Sequence, residues 1–261
     1  MRTNGPLALI FHTIFVVVML APILVVCLVA FTPEGYLSLP TTSFSLRWFR
    51  AIANYPEFVH AFWVSLGLGA LSSLVALLFA VPAALAIARY SFRGRDALAA
   101  LFLSPLMIPH VVLGIAFLRF FTAIGMGGSF TGLLVAHVVV VFPFALRLTL
   151  AAATGMDRSI EMAAVSLGAG GWTLFRRVTL PLILPGVLSG MIFAFIASLD
   201  DVVIALFIAN APQWTLPRQM WSGLRENVDP TILAAAAVLT VISITFQVTV
   251  EFLKRGKVKR P

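Results

Sequence analysis

The sequence predicts an all-α, polytopic membrane protein with about six transmembrane helices. Of its 261 residues, 61% are hydrophobic and only 11% are charged, whereas a typical soluble domain is nearer half apolar and a quarter charged. So much apolar surface requires lipid rather than water around the protein. Because lipid cannot hydrogen-bond exposed backbone groups, a spanning segment must be a helix or part of a closed barrel. The apolar runs do not alternate with polar residues, which excludes a barrel.

Six apolar runs are long enough to cross a bilayer, which takes roughly 20 residues. They cover residues 7–31, 61–88, 97–119, 130–153, 182–208 and 231–253. The first run is longer than the apolar core of a signal peptide, so we expect it to remain in the membrane. We therefore expect residues 1–261 to form a single transmembrane domain.

Basic residues fall unevenly on the two sides of these predicted spans. The larger group is Arg2, Arg89, Arg93, Arg95, Arg158, Arg176, Arg177, Lys254, Arg255, Lys257, Lys259 and Arg260. The positive-inside rule makes this side cytoplasmic and predicts that both termini are cytoplasmic. The net charge of +8 then reflects topology, and no nucleic-acid reading motif accompanies it.

Cysteine and histidine usage gives no sign of a metal site or a redox centre. Cys27 is the single cysteine, so disulfide, redox and zinc chemistry are not expected. The four histidines are scattered along the chain, and we expect them at the membrane interfaces rather than as metal ligands. No sequence motif of a hydrolytic enzyme occurs.

Small residues and prolines recur inside the spans. Two stripes with a spacing of four residues are Ser72, Ala76, Ala80, Ala84 and Ala88, and Gly186, Gly190 and Ala194. Such stripes let helices pack closely, either within this chain or against a second subunit. Pro105, Pro109 and Pro143 are expected to bend their helices because proline removes a backbone hydrogen bond.

The most informative stretch is the predicted cytoplasmic loop of residues 154–181, here called the coupling segment. Asp157 or Ser159 is a suitable N-cap, and the apolar residues that follow have helical spacing, so a short amphipathic helix is expected. Gly168 is expected to end this helix. A second short helical piece around residues 172–177 would return the chain to the membrane.

This segment resembles the EAA loop of ABC importer permeases, whose pattern is E-A-A, three residues, G, nine residues, I, one residue, L-P. The positions that carry the resemblance are Ala163, Ala164, Gly168, Val178, Leu180 and Pro181. The chain departs from the pattern at the family's glutamate, where Met162 stands and Glu161 is displaced by one position. The resemblance implies that Glu161, Met162 and the matching residues couple the permease to an ATPase.

The same resemblance implies the partners. They are a homologous second permease subunit, two ATP-binding subunits and a periplasmic substrate-binding protein, with lipid around the complex and no nucleic acid. The chain lacks a GxxxxGK[ST] phosphate loop. We therefore expect a non-catalytic permease that binds no cofactor itself, with ATP and Mg²⁺ on the partner ATPase.

Two adjacent acidic residues, Asp200 and Asp201, lie in the fifth predicted span. Ionisable groups in a membrane are costly and mark functional sites or structural ion pairs, and both alternatives remain open. The resemblance to spermidine/putrescine-type permeases rests on three stretches. They are SLDDVVIALF, which contains the two aspartates, TLPRQMWSGLRENVDPTILA after it, and FSLRWFRAI before the second span. That resemblance implies a substrate path that includes Asp200, Asp201, Trp48 and His110, where the carboxylates would meet a polycation, although Trp48 also suits a plain interface anchor. His110 replaces the acid that this family often carries after the proline of the third span. The alternative is an importer of another small solute, such as an opine, an amino-acid derivative, a phosphonate, iron or thiamine.

Two other function classes fit the sequence less well. A secondary transporter would show inverted repeats between its halves, and the spans here are unequal. An intramembrane aspartyl enzyme would need two carboxylates that face each other, whereas Asp200 and Asp201 are adjacent and diverge on a helix.

Overall fold

In the computed structural model, the described residues are 5–39, 43–226 and 230–258, and within these ranges the chain forms helices and connecting segments without a strand. The helices are α1 Pro6–Val29, α2 Arg47–Asn54, α3 Pro56–Arg89, α4 Arg95–Leu103, α5 His110–Ala123, α6 Phe130–Thr154, α7 Arg158–Ser166, α8 Gly171–Leu174, α9 Leu180–Leu199, α10 Val203–Ile208, α11 Leu216–Glu226 and α12 Pro230–Val258. The predicted all-α class is confirmed.

Within the ranges that the structure describes, five helical segments are long and apolar enough to cross a membrane. They are Pro6–Val29, Pro56–Arg89, Phe130–Thr154, Gly171–Leu199 and Pro230–Thr249. The predicted first, second, fourth and sixth spans coincide with four of them. The segment after α3 consists of the two helices Arg95–Leu106 and His110–Ala123. If these two helices are counted as one broken span, the number of crossings is six, which agrees with the prediction of about six transmembrane helices.

This segment lies where the sequence predicts the third span, and the bend expected at Pro105 and Pro109 is a complete break in the helix. The helices Arg95–Leu106 and His110–Ala123 meet at an angle of 98°. Pro105 lies in a short 3₁₀ turn after α4, and Pro109 directly precedes α5. Because proline lacks an N–H and disfavours a helical residue before it, the helix stops here. Pro143, in contrast, lies inside the unbroken α6.

The fifth predicted span ends earlier than expected. α8 continues through a π-helical turn at Phe175–Thr179 into α9, so the second helical piece of the coupling segment is part of the span itself. At the other end α9 stops at Leu199, and α10 begins at Val203. The prediction that Asp200 and Asp201 lie within the span is therefore wrong, because they occupy the break that follows it.

The chain divides into two compact units. One contains Met1–His60 and Gln219–Ile244, and the other contains Ala61–Arg218 and Thr245–Pro261. The single domain expected from the sequence stays a prediction. In the first unit, residues of α2 and α12 pack with the end of α1, and their buried cluster includes Ala30, Trp48, Ala234 and Ala237.

The core of the second unit is formed where α6 packs closely against α9. A Cβ on Gly186 would lie 2.3 Å from the Cβ of Ala152, and one on Gly190 would lie 3.0 Å from the carbonyl oxygen of Ala145. The glycines of α9 therefore allow close packing against α6 of the same chain. For this stripe, packing within the chain is favoured over packing against a second subunit. Four members of the α3 stripe are also fully buried, namely Ser72, Ala76, Ala80 and Ala84.

Candidate functional site

The helix α7 of the coupling segment has well-defined ends. The carboxylate of Asp157 accepts a hydrogen bond from the backbone N–H of Ser159 at 2.9 Å, which caps the N-terminus. This hydrogen bond, with a further one from the Ser159 side chain, lowers the pKa of Asp157 below its ordinary value. Of the two N-cap residues considered from the sequence, Asp157 is the one used.

Gly168 ends α7 as predicted. Its φ is +86°, a left-handed conformation that costs an L-residue with a side chain. The N–H of Gly168 bonds to the carbonyl of Val165 and the N–H of Ala169 to that of Ala164, which is the Schellman arrangement. Together they satisfy carbonyls that would otherwise lack partners at the end of the helix.

The outward surface of the coupling segment is apolar. Met162 is 64% exposed, Leu167 is 89% exposed and Trp172 is 71% exposed. Ala163 is exposed as well, and Ala164 is half-buried beside it. Exposed apolar side chains around small residues are suited to a close protein contact.

Glu161 points away from this surface and into the chain. Its Oε1 lies 2.9 Å from Nη2 of Arg89, at the end of α3, and both side chains are largely buried. The hydroxyl of Thr179 donates a hydrogen bond to the same oxygen at 2.5 Å. Glu161 therefore connects α7 to two membrane helices of its own chain.

Thr179 belongs to the π-helical turn that precedes Leu180 and Pro181. Because Pro181 has no N–H, it cannot donate the i to i−4 hydrogen bond that would continue a regular helix through this point. Single π turns occur often at functional sites. Leu180 and Pro181 thus begin α9, the membrane part of this continuous helix, as the sequence motif implied.

The second candidate site is the break between α9 and α10. Asp201 is buried, and its carboxylate accepts a hydrogen bond from the N–H of Ile204 at 2.7 Å. The other oxygen lies 3.2 Å from Nδ1 of His110, the first residue of α5. This pair joins two helix breaks that are far apart in the sequence. Asp200, next to it, is exposed.

A buried polar group close to this break was not anticipated from the sequence. Ser198 Oγ lies 2.8 Å from Nδ1 of His137 and accepts a hydrogen bond from Ser72 at 3.0 Å. His137 is 1% exposed and lies inside α6, and its predicted place at the membrane interface stays a prediction. The signal in the sequence was a polar side chain in the middle of each of three apolar runs.

Trp48 lies in the first unit, where it is 7% exposed. Its indole N–H donates a hydrogen bond to the carbonyl of Thr32 at 2.9 Å, and the guanidinium of Arg47 lies 4.7 Å from the ring centre. These contacts pack Trp48 inside the first unit, and its roles as a substrate contact or an interface anchor stay predictions. Within the described ranges, no group of three or more acidic, histidine or cysteine side chains could hold a metal ion.

Comparison with known proteins places the chain in a family. The family model described as binding-protein-dependent transport system inner membrane component matches residues 80–259. The spermidine/putrescine transport system permease protein PotC of Haemophilus influenzae is 30% identical over 234 residues, covering 90% of this chain and 91% of that protein. A protein of Haloferax volcanii named as a probable molybdenum ABC transporter permease protein is 37% identical over 182 residues, or 67% of each chain.

A solved structure has the same fold. The crystal structure of a bacterial alginate ABC transporter in complex with alginate pentasaccharide-bound periplasmic protein contains a chain that matches with a TM-score of 0.72. The sequence identity is 18%, and the match covers 97% of this chain and 94% of that one. With the family match over more than half of its length, the chain belongs to the binding-protein-dependent transport system inner membrane components, and it is a multi-pass ABC transporter permease of the inner membrane.

Proposed function

We propose that this chain is the permease subunit of an ATP-driven importer of polyamines such as putrescine and spermidine. The observation that carries the proposal is the similarity to a spermidine/putrescine permease over 90% of the chain. A second homologous permease completes the pathway, two ATPase subunits bind below it, and a periplasmic binding protein delivers the substrate. ATP and Mg²⁺ are bound by the ATPase subunits, and both termini of this chain lie in the cytoplasm.

In this proposal the coupling segment transmits movement from the ATPase to the membrane helices. Its exposed apolar residues, Met162, Leu167 and Trp172, dock on the ATPase subunit. The last part of the segment begins the helix Gly171–Leu199, and α7 is attached to that helix by the hydrogen bond from Thr179 to Glu161. Closure of the ATPase dimer would therefore move this helix as a lever and rock the pathway between its two states.

The helix break at Asp200–Val202 supplies the polar contact for a cationic substrate. Asp200 is exposed, and among the described residues its carboxylate has no hydrogen bond or ion pair. Its backbone N–H donates a hydrogen bond to the carbonyl of Ile196. Asp201, in contrast, is occupied by His110 and the N–H of Ile204. Asp200 is therefore the carboxylate that an ammonium group of the substrate would meet, whereas Asp201 holds the break in shape.

A second candidate is an importer of an anionic solute. The resemblance to spermidine/putrescine-type permeases implies an acid where His110 stands, and Nδ1 of His110 already lies 3.2 Å from the carboxylate of Asp201. A relative named for molybdenum transport covers two thirds of this chain. In this alternative Asp200 would not contact the substrate.

The test uses the complete complex, co-expressed with its genomic neighbours and reconstituted in proteoliposomes. ATP hydrolysis and uptake are measured with the binding protein loaded in turn with putrescine, spermidine or molybdate. We expect stimulation by the polyamine-loaded protein, and an Asp200→Asn variant that takes up polyamine more weakly than the matched control Asp96→Asn, which removes an exposed carboxylate in α4. Stimulation by molybdate alone would support the second candidate, and no associated ATPase activity would refute both.

A further inference from the structure

Glu161 and Met162 of the coupling segment point in different directions. Met162 occupies the family's glutamate position and is 64% exposed, whereas Glu161 is turned inward, with its side chain 14% exposed. Adjacent residues on a helix point about 100° apart, so a displacement by one position moves the carboxylate from the outward face to the face that meets the chain itself.

Polar contacts hold the first turns of α7 against other elements. Glu161 pairs with Arg89 at 2.9 Å, and Thr179 donates to Glu161. Arg158, on the same helix as Glu161, donates to the backbone carbonyl of Arg89. The guanidinium of Arg89 also approaches the sulfur of Met156, just before α7, at 3.9 Å. Contacts from α7 therefore converge on one end of α3 and on the π-helical turn that leads into α9.

α7 depends on these contacts for its position. It has only nine residues, and isolated helices shorter than about 12–15 residues are marginal in water. Glycines border it on both sides, at Gly155 and Gly168. An open pocket of about 400 Å³ lies beside it, lined by Arg89, Glu161 and Thr179 among others. Because no residue of α7 is buried, apolar packing contributes little to its attachment and the polar contacts supply much of it.

We propose that Glu161, Arg89 and Thr179 form a clamp that fixes the coupling helix to the membrane helices α3 and α9. Glu161 is then a positioning residue that transmits movement and does not itself contact the ATPase. The contact at the motif's glutamate position is made by the apolar side chain of Met162. This inference rests on the proposed importer function, since it assigns a role in coupling.

The clamp is expected to be stronger than an ordinary surface ion pair. Exposed pairs contribute little because water and salt screen them. Here both side chains are largely buried, at 12% and 14% exposure, and the same carboxylate oxygen also accepts the hydroxyl of Thr179. Charge-assisted hydrogen bonds that are shielded from water are the strong ones. Loss of the charge on Glu161 should therefore loosen α7 without unfolding α3 or α9.

The first measurement compares uptake with ATP hydrolysis in the reconstituted complex. We expect Glu161→Gln to keep ATP hydrolysis and to lower the uptake per ATP by about fivefold or more, the lower end of usual coupling effects. Asp96→Asn serves as the control and should match the wild type. An unchanged uptake per ATP in Glu161→Gln would overturn the proposal.

Charge reversal separates the clamp from general damage to the fold. Arg89→Glu and Glu161→Arg should each lower the uptake per ATP, and the double variant should recover much of it because the pair is restored in reverse. A double variant as poor as the single ones would contradict the pairing. A merely structural role of either side chain would not produce this recovery together with retained ATP hydrolysis.

Hydrogen exchange distinguishes failure of the clamp from failure of the importer function. In the same complex, the backbone amides of residues 158–166 should exchange faster in Glu161→Gln than in Asp96→Asn or the wild type. This result does not depend on transport. A wild-type complex without stimulated ATP hydrolysis would refute the proposed function, whereas equal exchange in the variants would refute the clamp.

Discussion

Replacing Gly168 with alanine should loosen the end of the coupling helix through its backbone alone. A Cβ at this position would meet nothing within 4 Å, so no steric clash arises, but the φ of Gly168 is +86°. An L-residue in this left-handed region costs about 1–2 kcal/mol. The hydrogen bonds of the Schellman arrangement at Gly168 and Ala169 depend on this conformation.

Gly170 provides a matched control two residues away. It also has open space around its Cβ, and its φ is −69°, which alanine adopts freely. Both substitutions reduce the conformational entropy of the unfolded chain in the same way, so this contribution cancels between them. The remaining difference is the strain of about 1–2 kcal/mol, or roughly a 5–30-fold change in the population of the capped helix end.

The assay is uptake per ATP hydrolysed in proteoliposomes, with hydrogen exchange of residues 158–169 as a structural readout. Gly168→Ala should lower the uptake per ATP and raise exchange, and the β-branched Gly168→Val should do so more strongly. Membrane insertion and ATP hydrolysis should be retained. If Gly168→Ala and Gly170→Ala behave alike in both measurements, Gly168 has no role in coupling.

Three further predictions concern other parts of the second unit. Gly186→Val should lower the melting temperature and yield of the detergent-solubilised protein, because even a Cβ would lie 2.3 Å from an α6 side chain and overpacking costs about 1–3 kcal/mol. The control is Gly67→Ala, since a Cβ on Gly67 would meet nothing within 4 Å. Equal melting temperatures of the two variants would contradict the close packing of α6 and α9. Asp201→Ala should destabilise the protein by about 1–3 kcal/mol, since a buried N–H loses its acceptor; an unchanged thermal unfolding curve would show that the break does not need this carboxylate. The pKa of Asp157 is lowered below 3.8 by its hydrogen bonds to Ser159, so the contribution of this cap is fully present at pH 7 and is lost as the pH falls through the lowered pKa. Circular dichroism of the wild type and Asp157→Ala should therefore differ at pH 7 and converge in strong acid, and no difference at pH 7 would argue against the cap.

The coupling segment was the most predictable part of the candidate site. The cap at Asp157, the helix α7 and its end at Gly168 all follow from residues within a few positions of one another, and local chemistry decides such features. The direction of Glu161 was not predictable in the same way. Its partners, Arg89 and Thr179, lie on other helices, and the sequence does not state which helix ends meet.

The acidic pair illustrates the same difference. The sequence identified Asp200 and Asp201 as unusual in an apolar region, but it placed them inside a continuous span. Only the folded chain brings Asp201 to within 3.2 Å of His110, about ninety positions earlier, and leaves Asp200 exposed. Likewise, three polar side chains that looked unrelated, Ser72, His137 and Ser198, meet in one buried group.

The sequence by itself determined that lipid surrounds the protein and that its class is all-α. It also determined the approximate number of spans and the location of the coupling helix. These properties depend on composition, on the length of apolar runs and on short motifs, because lipid enforces internal backbone hydrogen bonding along each segment. The tertiary structure decided where the third and fifth spans break and which polar groups are paired. Those outcomes depend on contacts between helices distant in the sequence, where the cost of burying a polar group makes its partner decisive.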